Sequence, residues 1–134
     1  MSATRGTVRR EVRFARPADD VWAEIAALDR IQDWFPGIVD SSVDGDRRVI
    51  TTGMGLPMPE DIVTVDHILR RLQYRLALPM IREHLSTLDV IDLGDGSCLA
   101  VYSVDADPAT MALLVGGAAG NALEHLRDQM EGRI

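Results

Sequence analysis

The stretch from Pro108 to Ile134 constrains the fold most. Asp107-Pro108 opens it, and proline suits a helix's first turn, whose N–H groups have no intrahelical partner. Met111, Leu114, Val115, Ala118, Ala119, Ala122, Leu126 and Met130 then recur at steps of three, four and seven, the spacing of one helical face. It is the only long helical pattern in the chain, and nearly everything before it reads as short strands. The expected architecture is therefore α+β: a curved antiparallel sheet wrapped around this helix, with a cavity between the two. Gly116, Gly117 and Gly120 interrupt the helix. Each costs about 1 kcal/mol relative to alanine. They serve either close packing against the sheet or extra volume for a ligand.

Thr7 to Ala15 alternates, with Val8, Val12 and Phe14 on one face and Arg9, Glu11 and Arg13 on the other, which is the pattern of a half-buried strand. Arg10 shares the apolar parity, so it belongs at the sheet end or points a charge toward the cavity. Pro17 with Asp19 and Asp20 starts a short helix striped by Val21, Trp22, Ile25 and Leu28. A second short helix is expected over 30–34, stopped by Pro36-Gly37. Strands follow at 38–43 and 48–54 around the Asp44-Gly45 turn. Gly53 to Pro59 carries two glycines and two prolines, which forbid regular structure, yet Met54, Leu56 and Met58 are apolar. Such a loop either closes over a pocket or packs. Further strands are expected at 60–65, 72–78, 82–93 and 98–105, with Gly94-Asp95-Gly96 as a turn. The total is about seven strands, two short helices after the first, and one long helix last.

A length of 134 residues with 46% hydrophobic and 26% charged residues indicates a single globular domain over 1–134. The formal net charge of −7 argues against nucleic acid or an anionic membrane as a partner. No run approaches the ~20 apolar residues of a membrane span, and the N-terminus lacks a signal-peptide pattern. Cys98 is the only cysteine, so no internal disulfide forms, which suits a reducing cytoplasm. Its neighbours Ser97 and Leu99 supply nothing that stabilises a thiolate.

Phosphate-loop and nucleophile-elbow patterns are absent. His67, His84 and His125 show no metal-ligand spacing, and no metal or cofactor is expected. His84 shares a strand face with Ser86, Leu88 and Val90. If that face is inward, a histidine and a hydroxyl stand among apolar walls, as in many small-molecule sites; the alternative is a strand-end histidine bonded to backbone or water. Glu60 begins a strand just after the apolar loop. Facing inward it would be a carboxylate with a raised pKa, and facing outward an ordinary surface acid. Tyr74 shares its parity with leucines and is the better candidate for a hydroxyl inside the cavity. In the strand before the last helix, Val101 and Ser103 share one parity and Tyr102 takes the other. His84, Glu60 and Tyr74 are thus the acid–base candidates.

The order of elements comes with local echoes. These are Val12-Arg13-Phe14-Ala15-Arg16-Pro17-Ala18-Asp19-Asp20-Val21-Trp22, then Asp33-Trp34-Phe35-Pro36, the run from Glu60 to Asp66 followed by Leu72-Gln73-Tyr74-Arg75, and Leu93-Gly94-Asp95-Gly96. Together they resemble the polyketide cyclase/dehydrase group of the START-related (SRPBCC) superfamily, over about Thr7 to Glu131. The resemblance implies a helix-grip fold, in which seven antiparallel strands grip the last helix around a deep, largely apolar cavity for lipids, polyketides or other hydrophobic molecules. It brings no universal catalytic residue. Two departures stand out: Val101 stands where such proteins often carry a tryptophan, and the last helix is unusually rich in glycine.

The expected function is binding of a small hydrophobic molecule; the alternative is a cyclase- or dehydratase-type enzyme. A partner-binding module, hinted at by Met54 to Pro59, is a third reading, and a homodimer is compatible with the sequence. The expected cavity lining begins with Phe14 and Trp34 and continues through Met54, Leu56 and Met58 of the loop. Ile62, Tyr74 and Leu76 come next, then His84, Ser86 and Leu88, with Val101 and Ser103 after them. Met111, Leu114, Val115 and Ala118 supply the helix side.

Overall fold

The structure is a computed structural model, and it describes residues 4–134. Strands β1 (Gly6–Phe14), β2 (Ile38–Asp44), β3 (Arg47–Thr52), β4 (Pro57–Asp66), β5 (Arg71–Leu76), β6 (Glu83–Asp92) and β7 (Cys98–Asp107) form one antiparallel sheet. The spatial order is β1-β7-β6-β5-β4-β3-β2, so β2 to β7 is a meander and β1 closes onto β7. Helix α1 (Ala18–Ala26) and a 3-10 turn (Leu28–Asp33) join β1 to β2, and helix α2 (Ala109–Met130) ends the chain. This is the expected helix-grip arrangement. This second short helix is a 3-10 turn that begins two residues and ends one residue before its expected bounds.

The loop expected over 53–59 is shorter than the sequence suggests. β4 already begins at Pro57, paired with Thr51, and Pro59 pairs with Val49. Prolines sit in this strand because their amide positions point toward β5, which has ended at Leu76. No ladder bond is lost there, and Pro59 O still accepts from Ala77 N at 3.0 Å. Met54 is 96% exposed and Leu56 58%, so neither closes over anything.

Register decides which face of each strand turns inward. β1 pairs Val12 with Ala100 and Phe14 with Cys98, and all four are buried. Ala100, Tyr102 and Val104 therefore face the core. Val101 and Ser103 are half-buried on the other side of the sheet, which corrects their expected inward placement. Alternation alone could not separate the two faces, because Leu99 and Val101 are as apolar as Ala100 and Val104.

The core lies between the sheet's concave face, α1 and the β1/β7 side of α2. Two of the three helix glycines explain the close approach. A Cβ on Gly116 would lie 2.5 Å from a Val8 methyl, and one on Gly120 would lie 2.3 Å from the Arg10 guanidinium carbon. These two serve packing. Gly117 has nothing within 4 Å of that position. Arg10 thus sits neither at the sheet end nor in the cavity. It lies mid-strand opposite Tyr102, in the gap that Gly120 leaves, with its guanidinium 3.6 Å from Glu124.

Candidate functional site

β5 and β6 pair only from Arg71 to Tyr74, after which the strands part. His84 fills the split: its Nδ1 accepts from the Leu76 backbone N–H at 2.8 Å, in place of a ladder bond. With Nδ1 accepting, the proton of a neutral ring sits on Nε2 and is donated to Ser86 Oγ at 2.8 Å. Burial lowers the His84 pKa to about 4, helped by Arg75 and opposed by Asp105. The ring is therefore neutral at pH 7 and fully bonded. Its strand neighbours Ser86 and Leu88 are buried in the core.

A second polar group lies on β3, β4 and β5. Arg48 and Glu60 face each other directly across the β3–β4 pair, and both side chains are almost wholly buried. Arg48 Nε donates to Glu60 Oε1 at 2.6 Å, and Arg48 Nη1 donates to Leu28 O at 3.2 Å. Arg48 Nη2 has no hydrogen-bond partner among the described residues. The guanidinium lies 5.2 Å from the centre of the Tyr74 ring, within cation–π range. Burial raises the Glu60 pKa, and Arg48 partly offsets that rise. The Tyr74 hydroxyl is hydrogen-bonded to that of Tyr102. Burial and the nearby Glu60 carboxylate push the Tyr74 pKa up to about 12, and Tyr102 is raised further, chiefly by burial. Both phenols are hydrogen-bond donors rather than bases at neutral pH.

These groups stand beside a cavity of about 330 Å³ between the sheet and the first half of α2. Ile31, Phe35, Pro36, Gly37 and Ile38 line one side. Ile50, Thr52, Met58, Glu60, Tyr74, Leu76, Leu78 and Ile81 form the sheet side, and Met111, Leu114, Val115 and Ala118 the helix side. Exposed Pro36, Gly37, Leu114 and Ala118 mark the mouth. The walls are apolar apart from Thr52, Glu60 and Tyr74.

The structure therefore brings together Met58, Tyr74, Leu76, Met111, Leu114, Val115 and Ala118 from the expected lining, with Glu60. Phe14, Trp34, Ser86 and Leu88 belong to the packed interior, Ile62 packs half-buried against it, and Met54 and Leu56 are exposed. His84 stands apart from Glu60, bordering a separate, polar depression of about 270 Å³ that also touches Leu76 and Ile81. Sequence reasoning missed Arg48 and the second lining segment, Phe35 to Ile38. Arg48 shares strand parity with buried Ile50, the one sign that its charge turns inward.

Neither of the other two histidines lines the cavity. His67 Nδ1 accepts from Trp22 Nε1, and His125 Nε2 lies 3.1 Å from Gln129 Nε2. Among the described residues no cluster of His, Cys, Asp or Glu could hold a metal ion. Burial raises the Cys98 thiol to about 11, so it is unreactive.

One family description, polyketide cyclase / dehydrase and lipid transport, matches residues 5–131. The chain belongs to this family. No curated protein matches it. Among solved structures, the protein XoxI from Bacillus cereus is similar at a TM-score of 0.86 and 20% identity, covering 92% of this chain and 94% of that one. A norcoclaurine synthase point mutant from Thalictrum flavum, in complex with a transition-state analogue, gives 0.75 at 16% identity over 100% and 99%. The di-domain ARO/CYC protein BexL, from the BE-7585A biosynthetic pathway, gives 0.80 at 17% over 93% of this chain and 46% of its own. These likenesses show the fold. No helix among the described residues is long and apolar enough to cross a membrane.

Proposed function

We propose that this family member binds one small hydrophobic molecule between the sheet and the first half of α2. The observation that carries this reading is the lining: an open cavity of about 330 Å³ whose walls are aliphatic or aromatic except at Thr52, Glu60 and Tyr74. Small-molecule sites have this character, with apolar walls supplying affinity and a few polar groups fixing orientation. The test is native mass spectrometry of the purified protein for a co-purifying apolar molecule, together with uptake of N-phenyl-1-naphthylamine. Ala118→Trp, at an exposed helix position on the cavity wall, should abolish uptake while leaving the circular dichroism spectrum intact. Uptake that survives this substitution would place the dye elsewhere and remove the support.

One observation favours a second reading, a cyclase- or dehydratase-type enzyme. Glu60 and Tyr74 line the same cavity, one a carboxylate with a raised pKa and the other a phenolic donor. A carboxylate beside a donor can move a proton on a bound carbonyl compound, and the cavity shape can hold a flexible chain folded for ring closure. In that reading Glu60→Gln and Tyr74→Phe lower turnover more than affinity. In the binding reading they change affinity alone.

A further inference from the structure

The polar floor of the cavity is asymmetric, and its unused hydrogen-bonding positions can be counted. Glu60 Oε1 is taken by Arg48 Nε, while Oε2 makes no hydrogen bond among the described residues. Among the described residues the Tyr102 hydroxyl has one hydrogen-bond partner, that of Tyr74, and Tyr102 does not line the cavity. If Tyr74 donated to Tyr102, the Tyr102 proton would be stranded in the closed interior, which is costly. If Tyr102 donates, the proton left over belongs to Tyr74, on the cavity wall. Ser86 lies opposite Tyr74, and its Oγ accepts from His84 Nε2 and also bonds the Tyr74 hydroxyl; being wholly buried, it places its own proton there as the donor. With Tyr102 and Ser86 both donating to Tyr74 Oη no donor is stranded, so the cavity floor presents one acceptor, Glu60 Oε2, and one donor, Tyr74 O–H. Glu60 lies opposite Leu76 and Tyr74 opposite Ile62 in the β4–β5 register, so the two are diagonal neighbours on one face. Diagonal neighbours of this kind lie within roughly 7–8 Å of each other, close enough for a long and an aromatic side chain to reach one bound group.

Charge narrows the choice further. Arg48 and Glu60 already neutralise each other in a buried pair. A carboxylate entering the cavity would meet Glu60 first, because Arg48 does not line it. An ammonium would leave a net positive charge in the same place. Either brings an unbalanced charge into an apolar enclosure.

We infer that the cavity selects a neutral molecule with an apolar body and one hydroxyl group, alcohol or phenol, which donates to Glu60 Oε2 and accepts from Tyr74 Oη. This rests on the ligand-binding reading above and deepens it. Four probes of one shape test it by isothermal titration calorimetry: 2-naphthol, 2-methoxynaphthalene, 2-naphthoate and 2-naphthylmethylammonium. 2-Naphthol should bind at least about tenfold tighter than the methoxy compound, which lacks the donor, since a hydrogen bond to a charged group contributes that much. Both ions should bind more weakly than 2-naphthol. In the double variant Arg48→Met/Glu60→Leu, which removes both charges together, the ratio of 2-naphthol to 2-methoxynaphthalene affinity should fall to about one. The wild-type series stands by itself if that variant does not fold. A wild-type ratio near one, or tightest binding of either ion, overturns the hydroxyl assignment and leaves the binding reading in place. No binding of any probe up to millimolar concentration overturns both.

Discussion

Acid should weaken this protein through His84 specifically. In the folded chain the ring is buried, accepts from Leu76 N and donates to Ser86 Oγ, and its pKa falls from 6.5 to about 4. Because the folded value lies below the unfolded one, the unfolded chain binds the proton first as pH falls, and stability falls with it. The contribution is intact above about pH 6.5 and declines through the window down to about pH 4. The linkage relation gives a loss of roughly 2 kcal/mol between pH 7 and pH 5, which solvent screening at the sheet split lowers to about 1–1.5 kcal/mol. Glu60 acts in the opposite sense, since its raised pKa means that the folded state gains as acid is added. The His84 share must therefore be isolated by a variant. His84→Asn keeps a side-chain oxygen near the Nδ1 position for Leu76 N but does not titrate. Urea denaturation at pH 7, 6 and 5 on both proteins gives the two slopes. The wild type should lose about 1–1.5 kcal/mol more than the variant over that range. Parallel slopes would refute the account of a neutral, fully bonded imidazole, and would return His84 to the acid–base candidates at neutral pH.

Further outcomes follow from other parts of the structure. Gly117→Ala meets nothing within 4 Å and should stabilise by about 0.5–1 kcal/mol in thermal melts. Gly116→Ala would bring its Cβ to 2.5 Å from Val8, so overpacking of about 1–3 kcal/mol should cancel or exceed the helix gain. Arg48→Met alone leaves the Glu60 carboxylate buried without its partner and should cost about 3–5 kcal/mol by urea denaturation, whereas Arg48→Met/Glu60→Leu should lie far closer to wild type. Leu114→Asp, at a position 68% exposed on the cavity mouth, should leave the melting temperature nearly unchanged and weaken uptake of an apolar dye.

Element order was legible because it rests on local chemistry. Alternation marks β1, Gly94-Asp95-Gly96 turns β6 into β7, and Pro108 opens α2. Tyr74 was legible as a cavity candidate because it shares its parity with leucines, whereas Glu60 stood out only as an acid beginning a strand after the apolar loop, with its facing left open. Long-range properties were not legible. Whether Tyr102 or Val101 faces inward depends on the β1–β7 register, and β7 is apolar on both faces. Pairing Arg48 with Glu60 required knowing that β3 and β4 meet directly opposite those residues. His84 looked like a catalytic group because strand alternation cannot show that β5 and β6 separate beside it. The glycines of α2 carried two meanings in sequence, and only the proximity of Val8 and Arg10 distinguished them.

The seating of α2 against β1 and β7 has a consequence for how such a chain can change over time. Gly116 and Gly120 fasten the helix to one margin of the sheet, while Met111, Leu114, Val115 and Ala118 stand over the opposite margin, where the cavity lies. Anchorage and cavity wall are thus assigned to different faces of one rod. Residues that shape the hollow can be exchanged while the moorings stay as they are.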